Sequence, residues 1–192
     1  EIEKEIKNTI KEVNLKEEFL NRFPHEFSGG QAQRIGIARV LLSKAKIIIL
    51  DEPVSALDVS VQSQILNLLN DLQKKFELSY IVISHDLAVI EAICDRVMVM
   101  YFGDIVEKSD AKELFQKPYH PYTNLLLKSV PKTNQKIKIQ NLVETELPDP
   151  INPPEGCSFY SRCENKTEKC KDLNPEETIK ENRKFKCFFP NN

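Results

Sequence analysis

Ser28-Gly29-Gly30-Gln31-Ala32-Gln33-Arg34, then Ile47-Ile48-Ile49-Leu50-Asp51-Glu52-Pro53, then Ser55-Ala56-Leu57-Asp58, all fall within residues 28–58. Ser28 followed three residues later by Gln31 has the spacing of a capping box, so a helix is expected to begin there. The two glycines between them leave the backbone N–H groups open to a large ligand, and the positive end of the helix dipole favours an anion. An ordinary capped helix would carry the same Ser-Gly-Gly, so this signal is weak alone. Lys46 to Leu50, with its apolar run Ile47 to Leu50, is short and β-branched, which fits a strand covered on both faces, as in a parallel sheet. It delivers Asp51 and Glu52 to its carboxyl end, where open α/β sheets bind ligands. Adjacent side chains on extended backbone diverge, so two different roles are expected. Asp51 is a candidate to hold Mg²⁺ through water. Glu52 is a candidate to orient and deprotonate an attacking water. A helix N-terminus and paired carboxylates together point to a phosphate-handling site.

Working outward, residues 1–22 space Ile2, Ile6, Ile10, Val13 and Leu15 at roughly helical period, as one or two amphipathic helices. Phe23 to Phe27 is a break enforced by Pro24. After Ser28, a face of Ile35, Ile37, Ala38, Leu41 and Leu42 is expected to be buried, with Arg34 and Arg39 off it. Ser60 to Phe76 reads as a helix with Asp58 or Ser60 as its cap. Ser79 to Ser84 reads as a second buried strand, ending in Ser84-His85-Asp86. His85 is expected beside Asp51 and Glu52, within reach of the same ligand. Leu87 to Cys94 is a short helix, and a hairpin turns at Phe102-Gly103. Short helices at Ala111–Gln116 and Tyr122–Lys128 precede a proline-marked polar linker over 131–155. Strand–helix–strand–helix alternation implies a parallel α/β core.

The chain has 192 residues, 27 basic against 29 acidic, so its charge gives no drive toward nucleic acid or an anionic surface. No apolar run approaches the ~18 residues needed to span a bilayer, so a soluble chain is expected, reaching a membrane only through a partner. Of the five cysteines, Cys94 stands alone and is expected in the core. Cys157, Cys163, Cys170 and Cys187 follow as Cys-x5-Cys-x6-Cys-x16-Cys. Clustering without a secretory signal favours a metal site over a disulfide framework. The spacing does not match the Cys-x2-Cys pairs of zinc ribbons, and four thiolates are also the ligand set of a [4Fe–4S] cluster. Iron–sulfur, zinc, and no metal at all stay open on spacing.

The order Ser28-Gly29-Gly30-Gln31, apolar strand–Asp51-Glu52, Ser55-Ala56-Leu57-Asp58, Ser84-His85-Asp86 resembles the nucleotide-binding subunits of ABC transporters. The resemblance runs from about Pro24 to Glu107. It implies that Ser28–Gln31 is the signature motif, Ile47–Glu52 the Walker B strand, Ser55–Asp58 the D-loop and His85 the switch histidine. A narrower resemblance, to oligopeptide and dipeptide importer ATPases, rests on His25-Glu26-Phe27, on His120-Pro121-Tyr122-Thr123 with Leu125-Leu126, and on Asn152-Pro153-Pro154-x-Gly156-Cys157 with Arg162-Cys163. Some members of that subfamily carry an iron–sulfur cluster on the tail cysteines.

The fold so implied is α/β, a P-loop NTPase-type, mostly parallel sheet with flanking helices, plus a small Cys-containing C-terminal extension. Residues 1–42 would be part of the helical subdomain, 43–110 the C-terminal part of the ATPase core, 111–155 a helical extension and linker, and 156–192 the Cys-rich tail. ATP and Mg²⁺ are the implied cofactors, with ATP held between two subunits packed head to tail. Glu52 and His85 would act on this subunit's own ATP, beside Asp51. Ser28, Gly29, Gly30 and Gln31 would contact nucleotide across the subunit interface, and Asp58 would also be a nucleotide-binding residue. Implied partners are a second homologous ATPase subunit, two membrane permease subunits and, indirectly, an extracytoplasmic solute-binding protein, with no nucleic acid. The implied location is the cytoplasmic face of the cell membrane. Ala32 and Val40 depart mildly from the family pattern. The larger departure is that no Gly-x4-Gly-Lys-[Ser/Thr] phosphate loop occurs. That loop is expected upstream, in a longer protein of which this is the C-terminal part, and the 192 residues alone are expected to be inactive. Competing expectations are a soluble ABC-type ATPase of DNA repair or translation, a nickel or glutathione importer ATPase, and a non-catalytic interaction module.

Overall fold

The computed structural model describes residues 1–130 and 154–191. The linker expected over 131–155 lies outside the described residues up to 153, as do Asn152 and Pro153 of the tail motif. The chain forms two compact units, Glu1–Ile93 and Cys94–Asn192, and the division falls inside the segment 43–110.

In the first unit, α1 (Ile2–Glu12) buries Ile10 and packs on α2 (Gly29–Leu42). The chain turns out of α1 at Asn14, whose φ is 56°, a left-handed conformation that asparagine tolerates. Short 3₁₀ turns at Glu17–Asn21 and Pro24–Glu26 lead to α2. Its capping box is formed: Ser28 N donates to Gln31 Oε1 at 3.1 Å, and Gln31 N donates to Ser28 Oγ at 3.4 Å. Arg34, expected off the buried face, is instead half-buried. Its guanidinium donates to Val13 O at 3.0 Å and Gln64 Oε1 at 3.4 Å, tying the end of α1 and the helix that carries Gln64 to α2.

The strands β1 (Ile47–Asp51) and β2 (Ser79–Ile83) pair in parallel, from Ile47 opposite Ser79 to Asp51 opposite Ile83. Between them runs α3 (Val59–Phe76), burying Ile65, Leu68, Leu69 and Leu72. Each such side chain stabilises by about 1.5–3 kcal/mol when fully buried. The Tyr80 hydroxyl donates to Leu69 O at 3.0 Å, so α3 lies on the sheet face that carries Tyr80, Ile48 and Leu50. Covering on both faces, as expected for β1, is not found. Ile47 is 64% and Ile49 66% exposed, while Ile48 and Leu50 are buried. The expectation of a buried β2 is corrected the same way, with Ile81 50% and Ile83 51% exposed. Among the described residues of this unit, helices cover one face only. After β2 comes α4 (Leu87–Ile93), one residue shorter at its end than a helix reaching Cys94.

The second unit is built on a four-stranded antiparallel sheet of order β3 (Arg96–Tyr101), β4 (Asp104–Asp110), β6 (Arg183–Phe185), β5 (Thr178–Lys180). The hairpin β3 (Arg96–Tyr101) and β4 (Asp104–Asp110) turns at Phe102 and Gly103, with φ of 54° and 83°. Two positive φ values match the right-handed twist of the strands. The short helices α5 (Ala111–Gln116) and α6 (Pro121–Ser129) follow. The tail supplies α7 (Glu168–Asp172), β5 (Thr178–Lys180) and β6 (Arg183–Phe185). These tail strands extend the hairpin and are absent from the sequence-based expectations. Val99, Tyr101, Val106 and Leu114 form a core with Phe159 from the tail. Cys94, expected in the core, is only half-buried.

Candidate functional site

The site at the carboxyl ends of β1 and β2 is made by a change of backbone direction. Asp51 continues β1 and shares the exposed face of Ile47 and Ile49. Glu52 then adopts φ 47°, which costs a non-glycine residue roughly 1–2 kcal/mol. Its N–H still donates to Ile83 O at 2.9 Å, so it stays tied to the end of β2. There its Oε1 lies 2.7 Å from His85 Nδ1 and accepts a bond from His85 N at 3.2 Å. The two adjacent carboxylates therefore diverge as expected, and Glu52 and His85 meet. The bond from the imidazole lowers the Glu52 carboxyl below its ordinary value, and the same bond raises His85 above its own. The His85 side chain is 80% exposed, so solvent screens the pair. Ser84 Oγ accepts from Asp86 N, and Asp86 Oδ1 accepts from Ala88 N, fixing the turn into α4 that carries His85.

The loop between β1 and α3 is pinned from the helix. Gln62 Nε2 donates to Val54 O at 3.2 Å and Leu57 O at 3.0 Å. Asp58 caps α3, its Oδ1 accepting from Val61 N at 3.0 Å and Ser60 Oγ at 2.7 Å. This cap shares the residue expected to face nucleotide. Ser28 and Gly29 are exposed at the start of α2. The Ser28 hydroxyl accepts the capping bond, which leaves its proton to donate elsewhere. The glycines have a reason inside the chain as well. A Cβ on Gly30 would stand 2.5 Å from Val61 Cγ1, and one on Gly29 3.1 Å from Leu57 Cδ2. Close packing of α2 on the start of α3 thus requires small residues there, whatever ligand approaches.

In the second unit, Cys157, Cys163, Cys170 and Cys187 line one pocket with His120, Phe159 and Phe188. Among the described residues, no three His, Cys, Asp or Glu side chains stand close enough to hold one metal ion. The four thiols surround a common space without converging on a point. Burial raises the Cys157 and Cys163 thiols and pushes Cys187 up to about 11. Burial also pushes His120 down to about 4, so its ring is neutral at physiological pH. Nδ1 of that ring accepts from Tyr122 N at 3.1 Å, capping α6.

Sequence reasoning missed the carboxylate that organises this unit. Glu107 is fully buried, and so is its partner Arg183. Glu107 accepts from Tyr119 N and His120 N, each at 2.8 Å, and from the Arg183 guanidinium at 2.9 Å. The same guanidinium nitrogen donates to Lys117 O at 2.6 Å. A charge in the run Ile105-Val106-Glu107 was the available sign, since an inward-facing carboxylate in a strand needs a partner.

Two family models match the chain: "ABC transporter" over residues 1–55, and "Oligopeptide/dipeptide transporter, C-terminal region" over residues 106–170. A dipeptide transport ATP-binding protein of Haemophilus influenzae is 49% identical over 93% of this chain and 55% of its own length. An oligopeptide transport ATP-binding protein of Bacillus subtilis is 50% identical over 89% of this chain and 53% of its own. The chain thus spans about half the length of the curated relatives it matches. Among solved structures, a component of an ABC transporter complex from Clostridium perfringens superposes with a TM-score of 0.56. It is 35% identical and covers 60% of this chain and 45% of that one.

Proposed function

We propose, from the premise that this chain belongs to the ATP-binding subunits of ABC transporters over the stretch it shares with them, that it serves ATP-driven import of peptides. The observation that carries this is the 2.7 Å contact between Glu52 and His85 at the carboxyl ends of two parallel strands. A carboxylate held ionised by its neighbour can accept the proton of an attacking water. His85 orients that carboxylate and offers a ring N–H to a γ-phosphate. Asp51, on its separate face, would hold Mg²⁺, whose charge would offset that of the phosphates. The cofactor supplies the bond that is broken, and ATP with Mg²⁺ is what the family uses. Ser28 to Gln31 presents backbone N–H groups, the Ser28 proton and a helix N-terminus to the nucleotide of a second, homologous subunit, with Asp58 beside them. The relatives' names point to oligopeptides or dipeptides as cargo, and membrane permease subunits are the partners that the resemblance to ABC importers implies. No helix among the described residues is long and apolar enough to cross a membrane; those partners would hold the subunit at the cytoplasmic face.

These 192 residues contain no phosphate loop, so the polypeptide by itself does not turn ATP over. The test is Glu52→Gln in a subunit that includes a phosphate loop, assembled with its partners. ATP binding should persist while hydrolysis falls by 10²-fold or more, as expected for a general base. Turnover near the unsubstituted rate would remove Glu52 from that role.

The tail cysteines have the donor set of a four-thiolate group, and their common pocket supports an iron–sulfur cluster as the occupant. The thiols must then lose their protons and draw inward, at a cost that metal binding offsets. Iron and sulfide should be found after anaerobic purification and be lost in Cys163→Ser/Cys170→Ser. Iron-free protein from that preparation would remove the cluster.

A further inference from the structure

The residues around the thiol pocket come from separate segments and are fixed by different means. Cys157, Cys163 and Cys170 are held locally. Cys157 N donates to Cys170 O at 2.9 Å, and Cys163 N donates to Tyr160 O at 3.3 Å. Gly156 lies where a Cβ would stand only 2.2 Å from Lys171 O, so the strip before Cys157 is pressed onto the end of α7. Cys187 and His120 are distant from these in sequence. His120 reaches the pocket from the loop before α6, and Cys187 from just beyond the end of β6.

Both lead back to Glu107. Its Oε2 accepts from the backbone N of His120, and its Oε1 holds Arg183, the first residue of β6. Phe185 lies opposite Glu107 in the ladder, and Lys186 N donates to Val106 O at 2.9 Å. Cys187 is the next residue. We propose that Glu107 is the positioning residue of the thiol pocket. It holds His120 on one side and, through Arg183, the strand that delivers Cys187 on the other. Glu107 does not line the pocket and acts only through these two neighbours. A buried carboxylate is stable only while its donors are in place, so the contact has one sharply preferred geometry. The link to metal chemistry rests on the reading that the four thiols form one ligand set.

The experiment measures alkylation of each cysteine separately, by mass spectrometry after timed exposure to N-ethylmaleimide, with Cys94 as the internal control. In Glu107→Gln, Cys187 should react several-fold faster while Cys157, Cys170 and Cys94 keep their rates. Arg183→Lys keeps the charge but not the second bond to Lys117 O, and should give a smaller change at Cys187 alone. It is the variant that decides should Glu107→Gln not fold. A Cys187 rate that stays constant in both variants, or one that rises in step with Cys94, overturns the proposal. A second arm titrates the metal-free chain with Co²⁺ and follows thiolate-to-metal absorbance. Loss of an indirect partner typically weakens a metal site by about 10–100-fold, and Glu107→Gln should do so here. No thiolate–Co²⁺ band in the unsubstituted chain overturns the ligand-set reading, and the alkylation rates then judge the positioning role by themselves.

Discussion

Glu52 is a residue whose backbone and side chain are set for one neighbour. Its positive φ takes it off the line of β1, and its carboxylate then meets both the N–H and the ring of His85. The sign of the coupling follows from the shifts. Stabilisation from the raised His85 is fully present at low pH and is lost as pH rises through its folded value. Stabilisation from the lowered Glu52 is present above the ordinary carboxyl range and lost as pH falls through its folded value. The charged pair therefore exists in the window between the lowered carboxyl and the raised imidazole, which is wider at both ends than for the two free groups. A titration of the His85 ring by NMR should place its midpoint above the ordinary histidine value. In Glu52→Gln that midpoint should return toward the ordinary value, because the bond to the carboxylate is the largest cause of the shift. An unmoved midpoint would show that the pair does not form in solution.

At the scale of elements, the helix start at Ser28 and the run Ile47–Asp51 were legible because capping and β-branched apolarity act within a few residues. The hairpin at Phe102-Gly103 was legible for the same reason. The exposure of Ile47, Ile49, Ile81 and Ile83 was not, because which face a strand buries depends on what packs on it. Nor was the Glu107–Arg183 pair, since a buried charge is explained only by a partner far along the chain. Of the candidate site, the meeting of Glu52 and His85 was readable as two strand ends. The second reason for the glycines of α2 was not. That reason yields a prediction. Gly30→Ala should gain up to about 1 kcal/mol of helix propensity. The added methyl meets a stiff Val61 side chain at 2.5 Å, and overpacking of this kind costs about 1–3 kcal/mol. The net effect on urea unfolding should be destabilising, and Gly30→Ala/Val61→Ala should recover part of the loss. A more stable Gly30→Ala chain would show that α2 and the start of α3 do not pack this closely.

Over the whole molecule, the tail is structural material for the second unit rather than an appendage to it. Phe159 and Phe185 are each nearly fully buried, with Phe159 inside the core of Val99, Tyr101, Val106 and Leu114. Removing one buried Phe side chain costs about 3–5 kcal/mol. Removing Arg183 leaves the Glu107 charge buried without a partner, a further cost of about 3–5 kcal/mol. Domains of this size are stable by only about 5–15 kcal/mol in total. A chain ending at residue 153 loses all three contributions together with two strands of the sheet, so the loss is as large as the whole stability of such a unit. The first unit keeps α1 to α4 and the β1–β2 pair, none of which comes from the tail. Hydrogen exchange on the truncated chain should therefore show amide protection lost across β3, β4, α5 and α6 and retained in α2 and α3. Unchanged protection of β4 after truncation would mean that Phe159, Phe185 and Arg183 contribute far less than their burial implies. Loss of protection in α3 as well would mean that the two units do not unfold separately.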